Sequence, residues 1–335
     1  MAEGALTELP DAGPPALLPW HRDQARRLGE ALTGGRLPHA LLICGPAGVG
    51  KRMLAEWTTA LLLCDEAGAE PCGHCRGCTL HRAGSHPDLH RAGLVDGSQQ
   101  VRIETIRELI RLTMLRSQYG ARRVALISPA DRMNRNAANT LLKTLEEPPA
   151  GAQLLLVADS TATLPQTVRS RCQQIVVAPP ERQVAVDWLR EKTGGDAAEQ
   201  LLALCANAPL RARELAEEGG KDAIEELVGS MSRIVEGKIS PVGAAAGWPK
   251  ERLPLLLNML TVLVQMLIRR EASGKPEPAL PALARIPSGL DLQRLHGYLD
   301  YLYGTQRLRD RALQPQLYVE DLLIRWQYAG RTSRH

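Results

Sequence analysis

The stretch CGPAGVGKRMLAEW, residues 44–57, carries the residue types of a phosphate-binding loop at every position but one. Gly45, Gly50 and Lys51 fit G-x-x-x-x-G-K-[ST], with Gly48 between them, but Arg52 stands where the hydroxyl belongs. In such a loop, glycines let backbone N–H groups approach phosphate and the helix N-terminus adds the positive end of its dipole. The lysine reaches the outer phosphates and the next hydroxyl coordinates Mg²⁺. An arginine cannot ligate a cation. Facing the metal, two unit charges ~4 Å apart would repel by roughly 4 kcal/mol at an effective dielectric of ~20, and a divalent ion would raise that. The strand VALI (124–127) should then be followed by an Asp for Mg²⁺ and an acid to orient water, yet Ser128, Pro129 and Ala130 follow it. Asp131 comes too late and reads as a helix cap. Gly45, Gly48, Gly50 and Lys51 therefore leave ATP binding open, whereas hydrolysis is not expected.

A second constellation is sulfur. LLLCDEAGAEPCGHCRGCTLHRAGSHPD holds Cys64, Cys72, Cys75 and Cys78, and tight C-x-x-C turns bring thiolates onto one ion. Such spacing in a chain without an export signal points to a metal rather than disulfides. One structural Zn²⁺ in a closed four-sulfur site is expected, worth ~10 kcal/mol by comparison with zinc-finger peptides. Cys64 is the expected fourth ligand because it ends the preceding helix; His74 and His81 are the alternatives. A nucleic-acid grip is poorly supported, since AGAEPCGHCRGC has one cation, Arg76, and no aromatic ring. A third candidate is LPQTVRSRCQQIVV (164–177), where Ser170, Arg171 and Cys172 precede an apolar strand. Its local sequence reads as a surface arginine beside a core cysteine.

These residues need a frame to hold them. The 335 residues suffice for two or three domains, and 44% apolar with 23% charged residues is ordinary for a globular chain. A net charge of +4 favours anionic partners only weakly. The acidic, proline-broken N-terminus lacks the marks of a signal peptide, so the cytoplasm is expected. Leu255 to Ile268 falls short of ~18 apolar residues and includes Asn258, Thr261 and Gln265, so it reads as a buried helix. Being apolar nearly all round, that helix is either central to its domain or shared with another subunit. Short apolar runs at 39–45, 122–130, 152–160 and 173–180 alternate with helical segments. One is RNAANTLLKTLEEPP, with Ala137, Ala138, Leu141, Leu142 and Leu145 on one face. The pattern predicts an α/β domain over 1–178, its parallel sheet covered on both faces and carrying the knuckle (64–78) as an insertion. Only helical periodicity follows, in a small unit at 179–221 and a larger all-α block at 222–335.

In order along the chain, HALLICGPAGVGK, the C-x-x-C-x-x-C insertion, SHPD (85–88), NTLLKTLEEPP (139–149) and SRC (170–172) resemble the clamp-loader branch of the AAA+ ATPases. The resemblance spans roughly residues 20–220, with a weaker echo in LYVEDLLIRW (317–326). It implies an AAA+ core, a three-helix lid and a helical collar that mediates oligomerisation. It also implies a stator-like place beside the gamma/tau and delta subunits of DNA polymerase III, in a hetero-pentameric ring that loads a sliding clamp onto primed DNA. Gamma/tau-like chains keep G-K-[ST] and an acidic pair; Arg52 and Ser128-Pro129 depart from them. By the same resemblance the four cysteines bind zinc, and Arg171 is a finger offered in trans to a neighbour's ATP. The lid's ATP-sensing arginine would fall at Leu210, with Arg211 one position away. An active gamma/tau-like ATPase and a stand-alone zinc-dependent DNA-binding protein are the rival readings.

Overall fold

The computed structural model describes residues 16–331 except 67, 95–97, 99, 121, 196, 249–252, 278–279 and 309–314. The outer ends of the first and last expected domains thus lie outside the described residues. By contacts the chain forms two compact units, Met1–Val184 and Ala185–His335.

The first unit runs α1 (Arg22–Thr33), β1 (Ala40–Cys44), α2 (Lys51–Leu63), α3 (Arg76–Arg82), β2 (Leu89–Ala92), α4 (Ile103–Met114), β3 (Arg123–Ile127), α5 (Arg135–Glu146), β4 (Ala152–Ala158), α6 (Gln166–Arg169) and β5 (Gln173–Val176). The five strands are parallel in the order β2-β3-β4-β1-β5, with Ala40 opposite Leu154 and Leu41 opposite Gln173. Alternation along each strand feeds two cores. Leu42, Ala125, Ile127, Leu154 and Leu156 pack with Ile106, Leu109 and Leu141 from α4 and α5. Leu41, Ile43, Val124, Leu126, Leu155 and Val157 pack on the other face with Leu28, Leu54 and Leu61 from α1 and α2. This is the expected α/β core, a parallel sheet covered by helices on both faces.

Four strands match the apolar runs. The fifth, β2, was not among them: LHRA is four residues long, carries His90 and Arg91, and sits at the sheet edge, where half-exposed side chains are tolerated. Helix α5 buries Ala137, Ala138, Leu141 and Leu145 as expected and stops before Pro148. Its cap differs from expectation. Asn134 Oδ1 accepts from Ala137 N at 2.8 Å, while Asp131 Oδ2 accepts from Ser160 N at 3.4 Å and so tethers the end of β4. Asp131 lies inside a short 3-10 turn, Ala130–Arg132, ahead of α5, whose cap is Asn134.

The named elements of the second unit, among its described residues, are all helices. It continues from α7 (Arg182–Thr193) through α8 (Ala198–Leu204), α9 (Pro209–Glu217), α10 (Gly220–Val235), α11 (Pro241–Ala245), α12 (Leu253–Ser273), α13 (Leu292–Leu308) and α14 (Pro315–Ala329). Helix α12 is central. Leu256, Leu257, Met259, Leu260, Leu263, Val264, Met266 and Leu267 are each at most 2% exposed. Its all-round apolarity is thereby satisfied within its own unit. Among the described residues, no helix is long and apolar enough to cross a membrane.

Candidate phosphate loop, metal centre and arginine

The loop leaves β1 and opens α2, the strand–turn–helix context that a phosphate cradle requires. Gly45 has φ 153°, and a Cβ there would lie 2.0 Å from Val177 O. Gly50 caps α2 at φ 87°, where a Cβ would strike Leu18 and His21. Only glycine fits either place. The N-terminal segment clasps the turn from outside: Trp20 Nε1 and His21 Nε2 both donate to Val49 O at 2.9 Å. Burial pushes the His21 pKa down.

Lys51 is almost fully buried at 4% exposure. Its Nζ lies 2.7 Å from Asp159 Oδ1 and donates to Pro46 O at 2.6 Å. Asp159 directly follows β4, the strand beside β1, and the sequence reading passed over it. Arg52 is exposed, so its charge points to solvent and the repulsion argued above does not act in full. The hydroxyl ligand is lost all the same. Beyond β3, Ser128 N donates to Ala92 O at 2.9 Å, and no carboxylate stands at Ser128, Pro129 or Ala130.

The four cysteines converge. Their sulfurs all lie within 4.8 Å of one another, with Cys64 Sγ 3.8 Å from Cys75 Sγ and Cys72 Sγ 4.0 Å from Cys78 Sγ. A tetrahedral site with metal–sulfur bonds of about 2.3 Å has edges of about 3.8 Å, so the donor set fits and could hold a metal ion. Backbone N–H groups of Asp65, Cys72, Cys75 and Cys78 donate to these sulfurs at 3.3–3.5 Å, orienting the thiolates. His81 is not at the centre. Its Nε2 donates to Glu56 Oε2 at 3.2 Å, and Arg91 Nη2 donates to the same oxygen at 2.9 Å. Burial pushes the Glu56 carboxyl up, but His81 and Arg91 outweigh it and hold the pKa at about 2. His74 is exposed beside Glu66 and could join it and Cys72 around an ion, but Cys64 completes the four-sulfur set.

SHPD braces the knuckle. Buried Asp88 accepts from the N–H groups of Gln118, Tyr119 and Gly120 at 2.7–3.1 Å and from Ser117 Oγ at 2.9 Å. Burial pushes its pKa up, and these bonds more than reverse that. Tyr119 OH then donates to Asp65 Oδ2 at 3.1 Å, Asp65 accepts from Gly77 N at 3.0 Å, and Arg76 lies 5.1 Å over the Tyr119 ring. Sequence singled out SHPD without a role, because its partners lie some thirty residues away.

Arg171 stands between α6 and β5 with its side chain 35% exposed. Its Nη1 donates to Thr167 O at 2.9 Å and its Nη2 lies 2.6 Å from Glu146 Oε1, at the end of α5. Ser170 is exposed; Cys172 packs in the core, where burial pushes its thiol up to about 11. In the sequence Glu146 stands only within NTLLKTLEEPP, with no role of its own. Arg211 lies exposed in the first turn of α9, next to half-buried Leu210.

A family model described as DNA polymerase III, delta subunit, matches residues 20–181. The DNA polymerase III subunit delta' of Pseudomonas aeruginosa is 36% identical over 246 residues, 72% of this chain and 74% of that protein. The delta' subunit of Escherichia coli is 33% identical over 319 residues, 92% of this chain and 95% of its own length. The tau subunit of Salmonella typhimurium is 36% identical over 148 residues, but these are 23% of that protein. A strand-framed phosphate loop, the cysteine cluster behind it and similarity along nearly the whole chain agree: this chain belongs to the DNA polymerase III delta' subunit family.

Proposed function

We infer that the chain is a stator-like subunit of the DNA polymerase III clamp loader, placed in a ring with gamma/tau and delta subunits. It helps load the sliding clamp onto primed DNA in the cytoplasm and does not turn over ATP itself. Residues 179–221 serve as lid and 222–335 as collar. What carries this reading is the metal side of the loop: Arg52 replaces the hydroxyl, Ser128 and Pro129 replace the acids, and Lys51 is paired with Asp159. With neither a cation ligand nor a water-orienting carboxylate at those positions, its work falls on a neighbour's nucleotide. Arg171, partly exposed and bonded to Glu146 and the Thr167 carbonyl, is the group offered to that neighbour. Cys64, Cys72, Cys75 and Cys78 hold one structural zinc, whose chemistry when bound is to cross-link the insertion.

Reconstitution with gamma/tau and delta subunits tests the role: clamp loading should depend on this chain, and the chain alone should show no Mg-ATP turnover. Robust turnover abolished by Lys51→Ala would instead make it a gamma/tau-like ATPase. Tight, salt-sensitive DNA binding by the lone chain would favour the zinc-dependent DNA-binding reading.

A further inference from the structure

We propose that Asp159 is a built-in anion that occupies Lys51 in place of a polyphosphate, so that the cradle is held shut by one side chain of its own sheet. The inference concerns the same loop as the proposed function and rests on that loop being a degenerate phosphate cradle. It does not depend on the chain's place in a clamp loader.

The geometry is specific. A lysine ammonium has three donor directions and one compact charge. One direction of Lys51 is spent on Pro46 O, inside the loop itself, at 2.6 Å, and the charge is met by Asp159 Oδ1 at 2.7 Å. With the lysine side chain 4% exposed, Asp159 is the carboxylate paired with it and water has little access to the ammonium. Asp159 reaches this place because it is the first residue past β4, which lies directly beside β1 at the end of the sheet where the loop begins. Its neighbour is pinned too: Ser160 N donates to Asp131 Oδ2 at 3.4 Å and Thr163 Oγ1 donates to Ser160 O at 3.3 Å. The carboxylate is thus delivered by the C-terminal end of a central strand.

A polyphosphate arriving at the loop needs the same ammonium. Either it displaces Asp159, or two anions share one cation with no metal ligand at Arg52 to relieve them. Both outcomes cost affinity. The Asp159 side chain is itself 55% exposed, so solvent screens the pair and the lock is moderate rather than absolute. Neutralising it should therefore gain affinity by at least tenfold, the equivalent of about 1.4 kcal/mol.

The test is calorimetric titration of the isolated full-length chain with inorganic tripolyphosphate, without added divalent cation. The wild-type chain should bind weakly, Asp159→Asn at least tenfold more tightly, and Lys51→Ala/Asp159→Asn no better than wild type. Asp159→Ala should repeat the gain, and thermal melting verifies that each variant is folded. Tight binding by the wild-type chain, no gain in either folded Asp159 variant, or a gain that survives removal of Lys51 would each overturn the proposal. Because no partner subunit enters the titration, its failure leaves the clamp-loader reading standing. A failed reconstitution equally leaves the lock standing.

Discussion

The guanidinium of Arg171 is shared between the Thr167 carbonyl and the Glu146 carboxylate, so two helices set its direction. A trans finger needs that pre-orientation, because a freely rotating arginine would lose side-chain entropy on each engagement. Arg171→Ala is expected to leave assembly of the complex intact while cutting ATP turnover by ~10³-fold at the site it serves. DNA- and clamp-stimulated ATPase of the reconstituted complex measures this, and full activity would remove Arg171 from the mechanism. A different chemistry governs Glu56. Its carboxyl is depressed to about 2 in the fold against an ordinary value of 4.5. A depressed carboxylate adds stability that is complete above the ordinary value and is lost as pH falls through about 2. The difference is on the order of 3 kcal/mol. Glu56→Gln should therefore lower stability near neutral pH by about that much and flatten its decline below pH ~4.5, as read by urea unfolding across pH. The sequence singles out Arg171 but neither its partner Glu146 nor Glu56, since these pairings join different elements: Arg91 is thirty-five residues from Glu56.

At the scale of elements, the knuckle depends on something other than burial. Helix α3 is seven residues long, and Cys75 caps it by accepting from Cys78 N. So short a helix is marginal in water by itself. With zinc joining its sulfurs, the insertion gains ~10 kcal/mol by comparison with zinc-finger peptides. Cys75→Ser should drop zinc from about one per chain, the stoichiometry of a closed four-ligand site, toward none. Hydrogen exchange should then show residues 64–82 losing protection while β1, β3 and β4 keep theirs. Unchanged zinc content in that variant would defeat the assignment. The strands show where reading by pattern stops. β1, β3 and β4 are buried along their whole length because both faces are covered, and their residues, apolar save for Arg123 and Gln153, announce them. β2 gives no such signal, since only its two end residues are buried and its middle is His90-Arg91.

For the whole molecule, the second unit is held by contacts far apart in sequence. Trp326 is fully buried, and its Nε1 donates to Met231 O at 3.0 Å; Tyr298 OH donates to Leu322 O at 2.9 Å. Trp326→Ala should cost about 3–5 kcal/mol by cavity formation, with the buried Met231 carbonyl left short of a donor. A thermal melt of the chain would register this as a drop of several degrees. What residue order determined alone was local: the turn chemistry of Gly45 to Lys51, the loss of the hydroxyl at Arg52, the C-x-x-C spacing, and the periodicities of the covered strands and α5. Each depends on neighbours within a few positions, so the information is in the string. Tertiary structure decided the rest. It spent Lys51 on Asp159, drew Cys64 rather than His74 or His81 to the other three sulfurs, and aimed Arg171 with Glu146. It also made α12 the centre of its own unit. These outcomes turn on which segments the fold brings within bonding distance, and the linear order of residues does not contain that distance.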